Sequence, residues 1–262
     1  VTSSTRAART EFLGLPFDHL NQTETLEEIQ RLAGTRKFAF VVTPNVDHVV
    51  RLHDLPRDAS LWQIYRAADI CVCDSQILRS LANASDIDLP LVTGSDLTRR
   101  VIEEASRAGT TATFAIVGGD QELLSELTRT YPTIRWTQQI PPMGVAKNVE
   151  AQREIAEFVE ASDAQIVFFA IGSPQSEIVC SLIAERGKAS GVGLCIGASL
   201  EFITGAKQRA PSFMQKLRAE WLFRLLSEPN RLWRRYLVQG PKIFLIWREW
   251  NNGRSTRTHV RS

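Results

Sequence analysis

The chain has 262 residues, 44% hydrophobic and 23% charged, which suits one large domain with a sizeable core and excludes a disordered or low-complexity protein. No stretch reaches the roughly 18 apolar residues of a membrane span, and the arginines near Val1 are followed by no apolar signal region. The formal charge of +2 hides an imbalance, because 212–262 carries eleven Lys or Arg against three acids and the remainder is net acidic by six.

Phe12 to Phe17 reads as a short strand and turn, and Thr23 to Leu32 as a helix with Thr23 as N-cap. The apolar run Phe38–Val42 is a strand interrupted at Pro44, with a helix over Asn45 to His53. Leu61, Ile64, Tyr65 and Ala68 fall at helical spacing. The run Ile70–Cys73 ends at Asp74, and Ile77, Leu78 and Leu81 predict an inward face for the helix that follows. Ser95 to Ala108 is a helix with Leu97, Val101, Ile102 and Ala105 as its stripe. Strands at Ala112–Val117 and Ile134–Trp136 flank a helix at Gln121–Thr130, and Tyr131-Pro132 ends that helix. After the loop Pro141–Gly144 come a helix at Val149–Ala161, a strand at Ile166–Ile171, a helix at Gln175–Arg186 and a strand at Gly193–Ile196. This alternation predicts an α/β fold: a Rossmann-like, mostly parallel sheet with helices on both faces.

Five apolar runs end in small or polar residues: Thr43-Pro44-Asn45, Asp74-Ser75, Gly118-Gly119, Gly172-Ser173-Pro174 and Gly197-Ala198-Ser199. Ligands of open α/β sheets sit at the carboxyl ends of the strands, so these ends predict one composite site. Asp74 is placed to take a proton from an attacking hydroxyl, or else to cap the next helix. Thr43 and Asn45 suit a sugar hydroxyl, or a helix cap. His48 and His53 read as packed or solvated side chains, and four scattered histidines make no metal site. Gly118-Gly119 leaves N–H groups for a phosphate at a helix N-terminus, although no GxGxxG or P-loop pattern is present. Gly172–Glu177 offers a second such turn, or a capping box from Ser173. Cys71, Cys73, Cys180 and Cys195 show no metal or disulfide spacing, and those in strands read as small hydrophobes.

From Arg209-Ala210-Pro211 the composition changes. Trp221, Trp233, Trp247 and Trp250 lie beside Arg224, Arg231, Arg234, Arg235 and Arg248, and Gly240-Pro241 breaks the segment before Ile243. Aromatic and apolar residues next to arginines fit an interfacial helix on an anionic membrane. Nucleic acid and an ordinary core-packing helix are the rival readings. The predicted division is 1–210 for the catalytic domain and 211–262 for a basic, Trp-rich membrane-associating appendage.

Across roughly Phe12 to Leu237 the chain resembles the WecG/TagA/CpsF family, glycosyltransferase family 26. The resemblance rests on Thr43-Pro44-Asn45, Ala68-Asp69 leading to Asp74, Thr93-Gly94-Ser95-Asp96-Leu97, Gly118-Gly119, Tyr131-Pro132 and Gly172–Glu177. It continues through Gly197–Gly205, Arg209-Ala210-Pro211, Glu220–Arg224 and Glu228–Arg231. It implies an inverting, metal-independent transfer, with no cofactor, from a UDP-sugar to a polyprenyl-diphosphate-linked saccharide. Asp74 would be the base, with Thr43 and Asn45 in the same pocket. The implied donor site takes in Gly118, Gly119, Met143, Gly172, Gln175, Ser176 and Glu201, and Arg209, Arg224 and Arg231 would hold the lipid diphosphate. The expected partners are those two substrates and the anionic cytoplasmic face of the inner membrane, with no nucleic acid and with room for a homo-oligomer. Three departures stand out: Asp74-Ser75 for Asp-Gly, Pro174-Gln175-Ser176-Glu177 for Pro-Lys-Gln-Glu, and Glu201 for Asp. A scaffold of a polysaccharide-assembly complex that lost turnover is the alternative.

Overall fold

The structure, a computed structural model, describes residues 8–109, 111–205 and 233–259. Arg9–Phe12 (β1) and Leu15–Asp18 (β2) form an antiparallel hairpin, turning at Leu13 and Gly14 with φ of 53° and 86°. Helix α1 (Gln22–Ala33) precedes β3 (Ala39–Val42), and then come α2 (Val46–His53), α3 (Ser60–Ala67) and β4 (Ile70–Cys71). Helices α4 (Gln76–Asn83) and α5 (Gly94–Arg107) follow without an intervening named strand. The second half runs β5 (Ala112–Gly118), α6 (Gln121–Thr130), β6 (Ile134–Gln139), α7 (Val149–Ser162), β7 (Ile166–Ala170), α8 (Gln175–Arg186), β8 (Val192–Cys195) and α9 (Ser199–Ile203). The six strands β3 to β8 pair in the order β4-β3-β8-β7-β5-β6, all parallel.

Alternate residues of each central strand feed two cores, as the pleat demands. Phe40, Val42, Val167 and Phe169 join the core under α2, α3, α7 and α8. Ala39, Val41, Ile166 and Phe168 join the core under α1, α5 and α6. Fully buried Phe168 meets Phe114 edge-on at 5.6 Å, and burying a ring of that size is worth about 1.5–3 kcal/mol. Close layering needs Gly193, where a side-chain carbon would come within 2.7 Å of Phe38 and 3.1 Å of Cys180 Sγ. The cysteines are buried thiols, and burial pushes Cys73 up to about 12, so they pack as hydrophobes.

Helix starts are set by local side chains. Asn45, Ser75, Thr93, Asp120 and Asn148 each accept a backbone N–H at the opening of a helix, a contact worth about 1 kcal/mol. The first helix corrects one expectation. Its cap is Asn21, not Thr23, because Asn21 and Glu24 bond reciprocally to each other's backbone N–H groups. Ile77 also departs from its predicted inward position: it is exposed and shares a shallow groove with Leu81 and Phe244.

In the C-terminal segment Arg234–Gln239 winds as a π-helix, and a helix spans Lys242–His259. Ile243, Ile246, Trp247 and Trp250 recur at three- and four-residue spacing and pack on the core. Trp250 meets Phe12 edge-on at 5.1 Å, Trp247 Nε1 donates to Ser85 Oγ at 2.8 Å, and Lys242 Nζ pairs with Asp54 at 2.9 Å. Two of the four tryptophans expected at a lipid surface therefore face the protein. Among the described residues, no helix is long and apolar enough to cross a membrane.

Candidate functional site

Strand register brings the predicted ends together. Val42 pairs with Cys71 on one side and Cys195 on the other, so the chain leaves β3, β4 and β8 at one level. Thr43 follows β3 and is buried, with Oγ1 donating to Cys195 O at 3.4 Å. Beyond β4 the chain stays tied to its neighbours through Asp74 N to Pro44 O at 3.1 Å and Val92 N to Cys73 O at 2.9 Å. That second bond, with the Cys73–Leu91 bridge, delivers the start of α5 to the same edge.

The result is a convergence on Gly94, the first residue of α5. A side-chain carbon there would lie 3.4 Å from Thr43 Oγ1, 3.5 Å from Asp74 Oδ2 and 3.5 Å from Ser199 Oγ. Asp74 is half-buried, and the cap of α4 is not Asp74 but Ser75, whose Oγ accepts from Leu78 N at 3.3 Å. Its carboxylate is thus not consumed by the role that competed for it in the sequence. Asn45 does cap a helix, accepting from Asp47 N at 3.0 Å. Ser199 was not among the residues singled out, and its signal was present in the small-residue end after β8.

The donor-site residues fall along the rest of the edge. Gly118 and Gly119 have φ of 102° and 72°, and Gly118 abuts Ala170 and Ile171 of the β7 end. Gln138 Nε2 ties that turn by donating to Gly118 O at 2.8 Å and Asp120 O at 2.9 Å. The adjoining helix start already holds an anion, since Asp120 accepts the Leu123 N–H at 2.8 Å. Gly172 has φ of 76°, and α8 opens on Pro174 with no side-chain cap. A capping box at Ser173 does not form, because the cap position of α8 falls on Pro174 and Glu177 is buried against Tyr65. Gln175 Nε2 donates to Ile171 O at 2.7 Å. Ser176 is 1% exposed, with Oγ donating to Gly172 O at 3.1 Å, so it lies behind the turn. Met143 is 99% exposed and Glu201 sits in the first turn of α9, half-exposed. Arg209, Arg224 and Arg231 lie outside the described residues.

A polar network underlies the Gly172 turn. Arg51 donates to Ser173 Oγ at 2.9 Å and to Asp47 Oδ2 at 2.7 Å, which puts a guanidinium beside the open start of α8. Tyr65 OH donates to Glu177 Oε1 at 2.9 Å. Burial raises the Glu177 carboxyl above its ordinary 4.5, despite the opposing bonds from Tyr65 and Ser173 and the Arg51 charge. The stability Glu177 contributes is full below about pH 4.5 and is lost as pH rises through its elevated value, because the folded state then has to hold a buried anion. Glu177→Gln keeps an acceptor for Tyr65 and cannot ionise. Thermal melts should therefore show the variant gaining on the wild type as pH rises above 4.5, until the carboxyl ionises in the folded state, and a constant difference would contradict this. His53 is packed as expected, with Nε2 2.9 Å from Leu13 O and the ring against Trp62 at 5.3 Å, and burial lowers its pKa.

A parallel sheet whose carboxyl edge gathers a carboxylate, two hydroxyls and glycine turns defines a Rossmann-like α/β protein. Residues 10–256 match the glycosyl transferase WecG/TagA/CpsF family, and the chain belongs to that family. Its activity is accordingly glycosyl transfer between a sugar donor and an acceptor in cell-surface polysaccharide synthesis.

Proposed function

We propose that the protein transfers a sugar, with inversion and without a metal, from a UDP-sugar to a polyprenyl-diphosphate-linked saccharide at the cytoplasmic face of the inner membrane. The observation that carries this reading is the convergence of Asp74 Oδ2, Thr43 Oγ1 and Ser199 Oγ around Gly94. Asp74 takes the proton of an acceptor hydroxyl, whose oxygen forms the new bond to the anomeric carbon as the bond to UDP breaks on the opposite face. The leaving diphosphate lies at the uncapped start of α8 beside Arg51, where helix N–H groups and a guanidinium offset its charge. Asn45 lines the same crevice. The arginines at 209, 224 and 231, in the 211–262 appendage or just before it, hold the lipid diphosphate.

Lipid access is supported by the apolar surface next to the crevice. Ile77 lies two residues beyond Ser75 and meets Phe244 across the shallow groove, and Trp233, Leu237, Val238 and Leu245 are exposed in the same C-terminal segment. The test is incubation with UDP-N-acetylmannosamine, UDP-N-acetylmannosaminuronate or UDP-glucose and a farnesyl-diphosphate-linked hexosamine. The expected result is UDP release matched by a glycosylated lipid product from one donor. Absence of product from all three overturns the reading.

A further inference from the structure

The turn that follows β7 has no cation of its own. Gln175 uses both ends of its amide, with Nε2 donating to Ile171 O at 2.7 Å and Oε1 accepting from Ala146 N at 3.5 Å. Ser176 is buried behind the turn. Positive charge arrives from α2 instead, where Arg51 Nη1 reaches Ser173 Oγ at 2.9 Å. A side-chain carbon added at Gly172 would meet no atom within 4 Å, so this turn borders open space.

Proton directions show how the arginine is held. The phenol proton of Tyr65 goes to Glu177 Oε1 at 2.9 Å. Across the 3.4 Å between Ser173 Oγ and the Tyr65 oxygen, the serine is therefore the donor. Ser173 Oγ in turn accepts from Arg51. The bonds run one way, from Arg51 through Ser173 and Tyr65 to Glu177, and bonds aligned in series polarise one another. Tyr65 and Glu177 are buried, which fixes the far end of the chain, and Asp47 Oδ2 holds the other side of the guanidinium at 2.7 Å. These contacts use two of the five N–H groups of Arg51 and leave three. The side chain is 34% exposed, so a ligand can reach it, and a guanidinium held in one orientation suits phosphate oxygens.

We propose that Tyr65 and Ser173 are positioning residues for the diphosphate of the donor, holding Arg51 against the Gly172 turn so that its remaining N–H groups meet phosphate oxygens. This rests on the UDP-sugar reading and adds to it Tyr65 and Ser173, which touch no substrate themselves.

The experiment measures UDP and uridine affinity by calorimetry, with thermal melts, for wild type, Arg51→Gln, Ser173→Ala, Tyr65→Phe and the double variant Arg51→Gln/Ser173→Ala. Arg51→Gln should bind UDP about 10- to 100-fold more weakly, the scale of lost charged hydrogen bonds, and uridine within about twofold of wild type. Ser173→Ala should weaken UDP roughly fivefold and leave uridine affinity and the melt unchanged, because Asp47 still holds one side of the guanidinium. Tyr65→Phe should weaken UDP in the same selective way. Its melt should fall as well, since Glu177 Oε1 loses its donor, so Ser173→Ala decides the matter. In the Arg51→Gln background, Ser173→Ala should change UDP affinity no further, whereas a purely structural serine would cost affinity in both backgrounds. Positioning is overturned by Ser173→Ala binding UDP as wild type does, by uridine and UDP weakening alike, or by additive losses in the double variant. A wild type that binds no UDP removes both the positioning and the donor reading. A wild type that binds UDP but is matched by Arg51→Gln removes the positioning alone.

Discussion

Asp74→Asn is expected to cut kcat by about 10²- to 10⁴-fold while UDP binding stays within about twofold, the range attributed to a positioned general base. The substitution keeps shape but removes the negative charge and with it the capacity to take a proton. The start of α4 should stay intact in the variant, because Ser75 rather than Asp74 caps it. Steady-state transfer, UDP calorimetry and a thermal melt on the same preparation check all three points. An Asn variant with wild-type turnover removes Asp74 from the chemistry. A variant that melts much lower shows a carboxylate serving the fold instead.

The C-terminal helix should separate two functions by face. Ile243, Trp247 and Trp250 lie against the core, whereas Phe244 and Leu245 are 54% and 53% exposed. Trp250→Ala breaks the edge-on contact with Phe12 and should cost about 3 kcal/mol, visible as a lower melting temperature. Phe244→Ser with Leu245→Ser should leave the melt unchanged and weaken binding to phosphatidylglycerol–phosphatidylcholine vesicles roughly tenfold or more, since apolar burial supplies part of interfacial binding. Flotation and a thermal melt distinguish the variants. Equal vesicle binding by the double variant would mean that this face does not meet lipid.

Much of the fold was legible because its punctuation is local. The bounds of α6 and α8 follow from Asp120, from Tyr131-Pro132 and from the glycines at 172 and 187. The cap of α1 was misplaced by two residues because Asn21 and Thr23 are both competent caps, and only the reciprocal bond with Glu24 selects between them. Thr43 and Asp74 could be read as strand-end residues from their own neighbourhoods. Ser199 stands in a strand-end triplet of the same kind, but its meeting with Gly94 depends on β4, β3 and β8 being neighbours, and strand order is not written in any local pattern. For the same reason the tail arginines and tryptophans suggested a lipid-facing segment. That Trp250 would find Phe12, far away in the chain, is a tertiary fact.

The hairpin β1–β2 has a bearing on how copies of this chain avoid one another. Strand β4 ends the sheet, and its Cys71 N–H is taken by Asp18 Oδ2 at 2.7 Å, while Arg9 covers the preceding carbonyls of Ala68 and Asp69 at 2.7 and 2.8 Å. The Arg9–Asp18 pair holds both groups in place at 2.8 Å. An exposed border of that kind is where a foreign strand would add. Here the donor and acceptors along that border are already taken by a preceding hairpin, so an incoming strand finds nothing there to pair with.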